Sequence, residues 1–321
     1  NIVGALTVAE PFSINGTGLG NGAIWIPSTS GATTLSGLIT TATSSRINTD
    51  ISSGSYTLTL SGGIANTGGL ILGGTGDVSI TTAITGTSSS TSNLTKDGAG
   101  KLILSSTNTY AGTTSITAGI VQLKNNDALG TSTGSQGTTV GANAAIEING
   151  ATTIPEAITI NGTGINNTGA IRLITGATAA TLSGTINVAA ASRINTDIAS
   201  GTNTLTITGA ITNTAGLTLG GIGDFSISGI ISGSSASASN LTKDGAGKLI
   251  LSGANTYAGT TSITSGVVQI KSSDAFGTLA GSQGTSIADG TAIEIYATSA
   301  LTIPEAITIN GTGVSNTGAI R

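Results

Sequence analysis

The 321-residue chain has no cysteine, no methionine and no histidine, and only 7% of its residues are charged and 2% aromatic. Each shortage closes off a chemistry. Without Cys or His there is no thiolate or imidazole zinc centre, no cysteine nucleophile, no disulfide and no histidine general base. Ten Lys and Arg against 14 Asp and Glu leave a net charge of −4. So few cations cannot build the basic surface that nucleic acid requires, and no nucleic-acid partner is expected. No apolar run approaches the ~18 residues of a membrane-spanning helix. A hydrophobic content of 37% is too high for a disordered acidic tail. The chain begins at Asn1 without the basic, apolar opening of a signal peptide, and reads as a piece of something longer.

What is present is repetition. The run Asn93-Leu94-Thr95-Lys96-Asp97-Gly98-Ala99-Gly100-Lys101-Leu102-Ile103-Leu104 returns unchanged at residues 240–251, a spacing of 147. Residues 45–51 return at 192–198 and residues 108–114 at 255–261, with the same spacing. Ile154-Pro155-Glu156-Ala157 and the residues that follow return at 303–313, shifted by 149, so a two-residue insertion falls between Tyr296 and Leu301. The unit boundaries expected from this pattern are 1–26 (the end of one unit and the start of the next), 27–172 and 173–321. Both ends fall inside the periodic pattern, so an uncapped array with further units is expected.

The units carry short runs such as Tyr56–Leu60, Leu70–Leu72, Lys101–Leu104, Ala145–Ile148 and Thr204–Ile207, in which Thr or Glu alternates with Leu or Ile. Alternation predicts strands with one buried and one exposed side. Glycine-containing turns separate them, among the 50 glycines of the chain. An all-β protein follows. The inward candidates are almost all small aliphatics, which suit a narrow core stacked from coil to coil better than a sandwich core rich in aromatics. Thr, Ser and Asn suit outward ladders. A parallel β-helix, or β-solenoid, is the predicted fold, and a membrane barrel is excluded by the lack of aromatic girdles.

Asn93 to Leu104, followed by Asn108-Thr109-Tyr110-Ala111-Gly112-Thr113-Thr114, Ala118-Gly119-Ile120-Val121 and Ala128-Leu129-Gly130, resembles the autotransporter-associated β-strand repeat, with a second copy from Asn240 to Gly277. The resemblance implies a right-handed parallel β-helix with coils of about 20 residues, exported to the surface of a Gram-negative bacterium. Stacking of such coils ~4.8 Å apart would make one unit of about seven coils some ~34 Å long.

Few residues suggest chemistry, and no catalytic, cofactor-binding or metal-ligating residue is assigned. Asp289 and Glu294 are the nearest acidic pair without a neighbouring cation in sequence, yet Asp289 aligns with Ala142, so the pair is not repeated. Lys96-Asp97 with Lys101, and Lys243-Asp244 with Lys248, are expected to form surface ion pairs on a glycine-rich turn. Arg46 with Asp50, and Arg193 with Asp197, are expected to pair at a coil edge. Gly73-Gly74-Thr75-Gly76-Asp77 and Gly220-Gly221-Ile222-Gly223-Asp224 resemble a calcium-binding nonapeptide, but the Asp comes one residue early and the motif is not in tandem, which favours tight corners. Tyr110 and Tyr257 are expected to pack over a coil corner. Trp25 stands where the other units carry Arg172 and Arg321. The Asn-x-Thr triplets at Asn15, Asn93, Asn161, Asn166, Asn240 and Asn310 read as turn chemistry.

The expected function is structural and not enzymatic: an extracellular rod, fibre or surface-layer element that self-associates end to end or laterally, with contacts to cell surface or matrix. The alternative is the stalk of an autotransporter-type adhesin that presents a separate binding domain.

Overall fold

Strands of two to five residues fill the computed structural model, which describes residues 6–51, 57–131, 137–150, 153–177, 179–199, 201, 204–278, 284–297 and 300–321. Among these residues there are 37 strands and two 3-10 turns, at Ile165–Asn167 and Val314–Asn316. Tyr56, at the head of one expected strand, lies outside the described residues; the strand itself runs Thr57–Leu60. Contacts divide the chain into two units: Asn1–Ala151 with Pro155–Ala157, and Thr152–Ile154 with Ile158–Arg321.

In the first unit the chain visits three parallel sheets in rotation. The first sheet stacks Leu6–Val8, Thr33–Leu35, Thr57–Leu60, Asp77–Ile80, Lys101–Leu104, Gly119–Leu123 and Ala144–Ile148. The second stacks Phe12–Ile14, Ile39–Thr41, Ile64–Asn66, Ile84–Gly86 and Thr109–Tyr110. The third stacks Ile24–Ile26, Ser45–Thr49, Leu70–Gly73, Leu94–Lys96, Thr114–Ile116 and Gly137–Val140. Every described pairing is parallel and joins one coil to the next, which is the connectivity of a β-solenoid. The second unit repeats the arrangement, starting from Thr153–Ile154, Ala157–Ile160 and Ile171–Leu173.

Coil lengths are unequal. Lys101 pairs with Ile120, but Leu6 pairs with Thr33 and Gly119 with Ala144. Most coils are therefore longer than the expected ~20 residues, because extra residues loop out at corners while the strand register is kept.

Burial follows strand parity. In a three-residue strand the first and third side chains point inward and the second outward, as in Thr114–Ile116. Stacking turns these positions into files. Leu58, Val78, Leu102, Val121 and Ile146 form one inward file, each at most 2% exposed. The outward file beside it runs Thr34, Thr59, Ser79, Ile103, Gln122 and Glu147. Each buried Leu or Ile stabilises by roughly 1.5–3 kcal/mol, set against about 1–2 kcal/mol per residue for ordering backbone. A coil thus holds only with neighbours above and below it.

Candidate functional site

A group of charged residues gathers at the corner after the third sheet of the first unit, and at its equivalent in the second. There the two motifs with calcium-like spacing make tight turns, with Gly74 at φ 98° and Gly221 at φ 99°. Gly73 has a different reason to be glycine: a Cβ on it would overlap both the Arg46 guanidinium and the Asp97 carboxylate. Arg46 reaches over Gly73 to Asp97, with Nη1 at 2.7 Å from Oδ2. Arg193 does the same over Gly220, contacting Asp244 at 2.7 and 2.8 Å. Asp77 accepts from the backbone N–H of Lys101 at 2.9 Å, and Asp224 from that of Lys248 at 2.7 Å. These carboxylates tie one coil to the next.

The expected pairing of Arg46 with Asp50 is therefore corrected, as is that of Arg193 with Asp197. Alternation separates residues four apart along a strand by two outward positions, whereas stacking brings Asp97 over the intervening glycine. Asp50 instead accepts from Trp25 Nε1 at 2.8 Å and from Asn48 Nδ2 at 3.2 Å. Asp197 takes Arg172 at 2.6 Å. Trp25 and Arg172 thus do one job with different groups: each donates to the carboxylate of the following coil.

The lysine cluster is corrected too, because its members part company. Lys96 is not a surface ion pair but lies in the inward file Ile47, Leu72, Lys96, Ile116 and Val140, and is 2% exposed. Its ammonium donates to the carbonyls of Asp97, Gly98 and Ala118 at 3.0, 2.7 and 3.3 Å. Burial lowers its pKa to about 8, opposed by the nearby Asp97 and Asp77. Lys243 repeats this, 1% exposed and bonded to the carbonyls of Asp244, Gly245 and Ser265. Lys101 points outward to Glu147 at 2.7 Å, and Gln122 joins the same oxygen at 3.2 Å. The alternation of Leu94, Thr95 and Lys96 was the available signal, since Lys96 shares parity with Leu94.

Glu294 does not lack a cation: Lys248 and Arg321 each lie 2.8 Å from it. The Lys248 hydrogen bond, ahead of that from Arg321, holds its carboxyl below the usual range. Asp289 accepts from the N–H groups of Gly290 and Thr312. Tyr110 and Tyr257 are not draped over a corner but lie wholly inside, 0% exposed, each hydroxyl 2.6 Å from the Oγ1 of Thr114 or Thr261. Burial pushes both phenols well above their usual range. Asn93 and Asn240 serve turns, accepting from Thr113 and Thr260 and donating to the Ser90 and Ser237 carbonyls.

Sequence reasoning missed Asn66 and Asn213, both fully buried at a corner. Asn66 accepts from Thr41 Oγ1 and the Gly69 N–H, and donates to the Asn93 carbonyl. It also missed Glu156 and Glu305, buried behind Pro155 and Pro304. Among the described residues no three Asp or Glu come together as a metal site, and no helix is long and apolar enough to cross a membrane. An open groove on the second unit is lined by residues that include Ser192, Thr218 and Thr242.

The family model of the passenger-associated-transport-repeat matches residues 94–123 and 241–270, about a fifth of the chain. Each match starts at the strand that carries the buried lysine and ends at the strand that carries Gln122 or Gln269. Neither curated proteins nor solved structures give a match to the chain.

Proposed function

We propose that this chain, which carries two passenger-associated-transport-repeats on a parallel β-solenoid and so fits an autotransporter passenger region, serves as a structural segment of a surface-displayed protein. Its work is geometric: coils stacked along an axis build a stiff rod, fibre or surface-layer element. One observation carries this reading. Charged side chains are spent on joining coils at Arg46 with Asp97, Lys101 with Glu147, and Lys96 with three carbonyls. On this reading the chain is not an enzyme, and its partners are further copies of itself and surfaces of the cell or its matrix. Export to the surface of a Gram-negative bacterium goes with the repeat family. A second reading, the stalk of an adhesin, draws on the same solenoid and differs in what adjoins it.

Cryo-electron microscopy of the native surface material separates the two. A fibre gives long particles with a ~4.8 Å layer line and a superperiod equal to one repeat unit. Short particles that end in a globular head would move the binding function to that head. Compact particles without an axial repeat would overturn both readings.

A further inference from the structure

Each unit buries one glutamate whose carboxyl, among the described residues, takes no hydrogen bond from another residue. Glu156 is 3% exposed and Glu305 is 7% exposed. Neither oxygen of either carboxyl has a hydrogen-bond partner in another residue among those described. Their surroundings match. Tyr110, whose hydroxyl meets Thr114, lies within the field of Glu156, and Tyr257, whose hydroxyl meets Thr261, lies within that of Glu305. Thr138 stacks directly on Thr114, and Thr285 on Thr261; both Thr138 and Thr285 are buried, with hydroxyls that have no hydrogen-bond partner among the described residues.

The charges acting on these acids have the wrong sign for a salt bridge. The titratable groups that bear on Glu156 are Tyr110, in the strand Thr109–Tyr110, and Asp127, on the turn after Gly119–Leu123. For Glu305 they are Tyr257 and Asp274. An ionised carboxylate in such a place loses its hydration and meets a second negative charge. A neutral acid fits, because without a charge it needs neither hydration nor a counter-ion in its buried position.

We propose that Glu156 and Glu305 are proton-loaded latches: protonated, they close the tyrosine-bearing corner of each repeat, and ionised, they loosen it. The scaffold then tightens in mildly acidic surroundings and relaxes as the pH rises, whether it is a fibre or a stalk. Burial raises Glu156 from 4.5 to about 7, and its own backbone N–H offsets this only in part. Glu305 shifts in the same direction. The sign follows. Below pH 4.5 the acid is neutral folded and unfolded, so it adds no pH dependence. Between 4.5 and about 7 the unfolded chain loses the proton and the folded chain keeps it. Stability therefore falls across that window as Glu156 raises the unfolding equilibrium constant up to tenfold per pH unit, and Glu305 acts in the same direction.

The test compares the whole chain with a Glu156→Gln, Glu305→Gln double variant, by thermal unfolding from pH 4 to 9 and by hydrogen exchange of residues 107–114 and 254–261. The wild-type chain is expected to lose melting temperature and exchange protection at these segments as the pH rises, and the variant to hold both nearly constant. Equal slopes in the two proteins would overturn the proposal. Carboxyl-carbon NMR titration of the wild-type chain stands independently of the variant's folding, since only five glutamates are present. Two glutamate signals titrating above the other three support the latch, and five ordinary ones refute it.

Discussion

Gly73 is fixed by what crosses it. Two coils must hold hands over a third, and the crossing of Arg46 to Asp97 leaves no room for a methyl group. The ion pair is part-exposed, at 22% and 33%, so its own worth is at most ~1 kcal/mol. Steric overlap dominates. Gly73→Ala is expected to destabilise by about 1–3 kcal/mol, and Gly220→Ala by a similar amount, read from urea unfolding. An Ala at Gly16, where added bulk meets nothing, isolates the strain of its positive φ from the crowding. At this scale the sequence was partly legible. Repetition of Gly73-Gly74 as Gly220-Gly221 marked a corner, but the partner of Arg46 lay 51 residues away. Unequal coil lengths hide such a partner, because no constant offset points to it.

At the scale of one strand, the inward file that contains Lys96 raises a question of cost. A buried ammonium is expensive unless its three protons are used, and here three carbonyls take them. Lys96→Met keeps the volume and removes the charge, but it leaves those carbonyls without their donor, at about 1–3 kcal/mol for each that stays buried. Removing a buried charge offsets part of this. Net destabilisation of about 1–3 kcal/mol is expected from chemical unfolding at pH 7. The pH dependence has the opposite sign to that of the buried glutamates. Below about 8, Lys96 is protonated in both states; between about 8 and 10.5 only the unfolded chain keeps the proton. Stability attributable to Lys96 therefore rises with pH over that range, and the Met variant should lack this component. Equal alkaline slopes in the two proteins would refute the assignment.

Strand parity also shows why the acids escaped notice. Ile154, Glu156, Ile158 and Ile160 are all buried and all of one parity, so Glu156 sat in plain view on the core side. A charged residue is seldom fully buried, and a proline such as Pro155 usually interrupts a strand. Parity was the stronger guide. The same holds for Tyr110, which shares parity and burial with Asn108. Residue chemistry was misread where residue spacing was already sufficient.

For each unit as a whole, repetition made the fold legible before any single contact was. A duplicated block without a helical period, rich in small aliphatics and hydroxyls, leaves few architectures that can bury its apolar side. The same architecture restricts how damage spreads. Leu102 is fully buried, with Val78 below it and Val121 above. Leu102→Ala should cost about 2–5 kcal/mol, since a cavity in a narrow file cannot be filled from the side. Apart from long side chains such as Arg46 and Lys101 that reach two coils away, packing joins each coil to its neighbours, so the loss should be local. Hydrogen exchange is expected to accelerate in Asp77–Ile80, Lys101–Leu104 and Gly119–Leu123, while Leu6–Val8 and Thr33–Leu35 keep their protection. Uniform acceleration across the first unit would mean that its coils melt as one block. The interaction between stacked coils would then exceed what a single file of side chains provides, and the continuous backbone ladders would have to supply the difference.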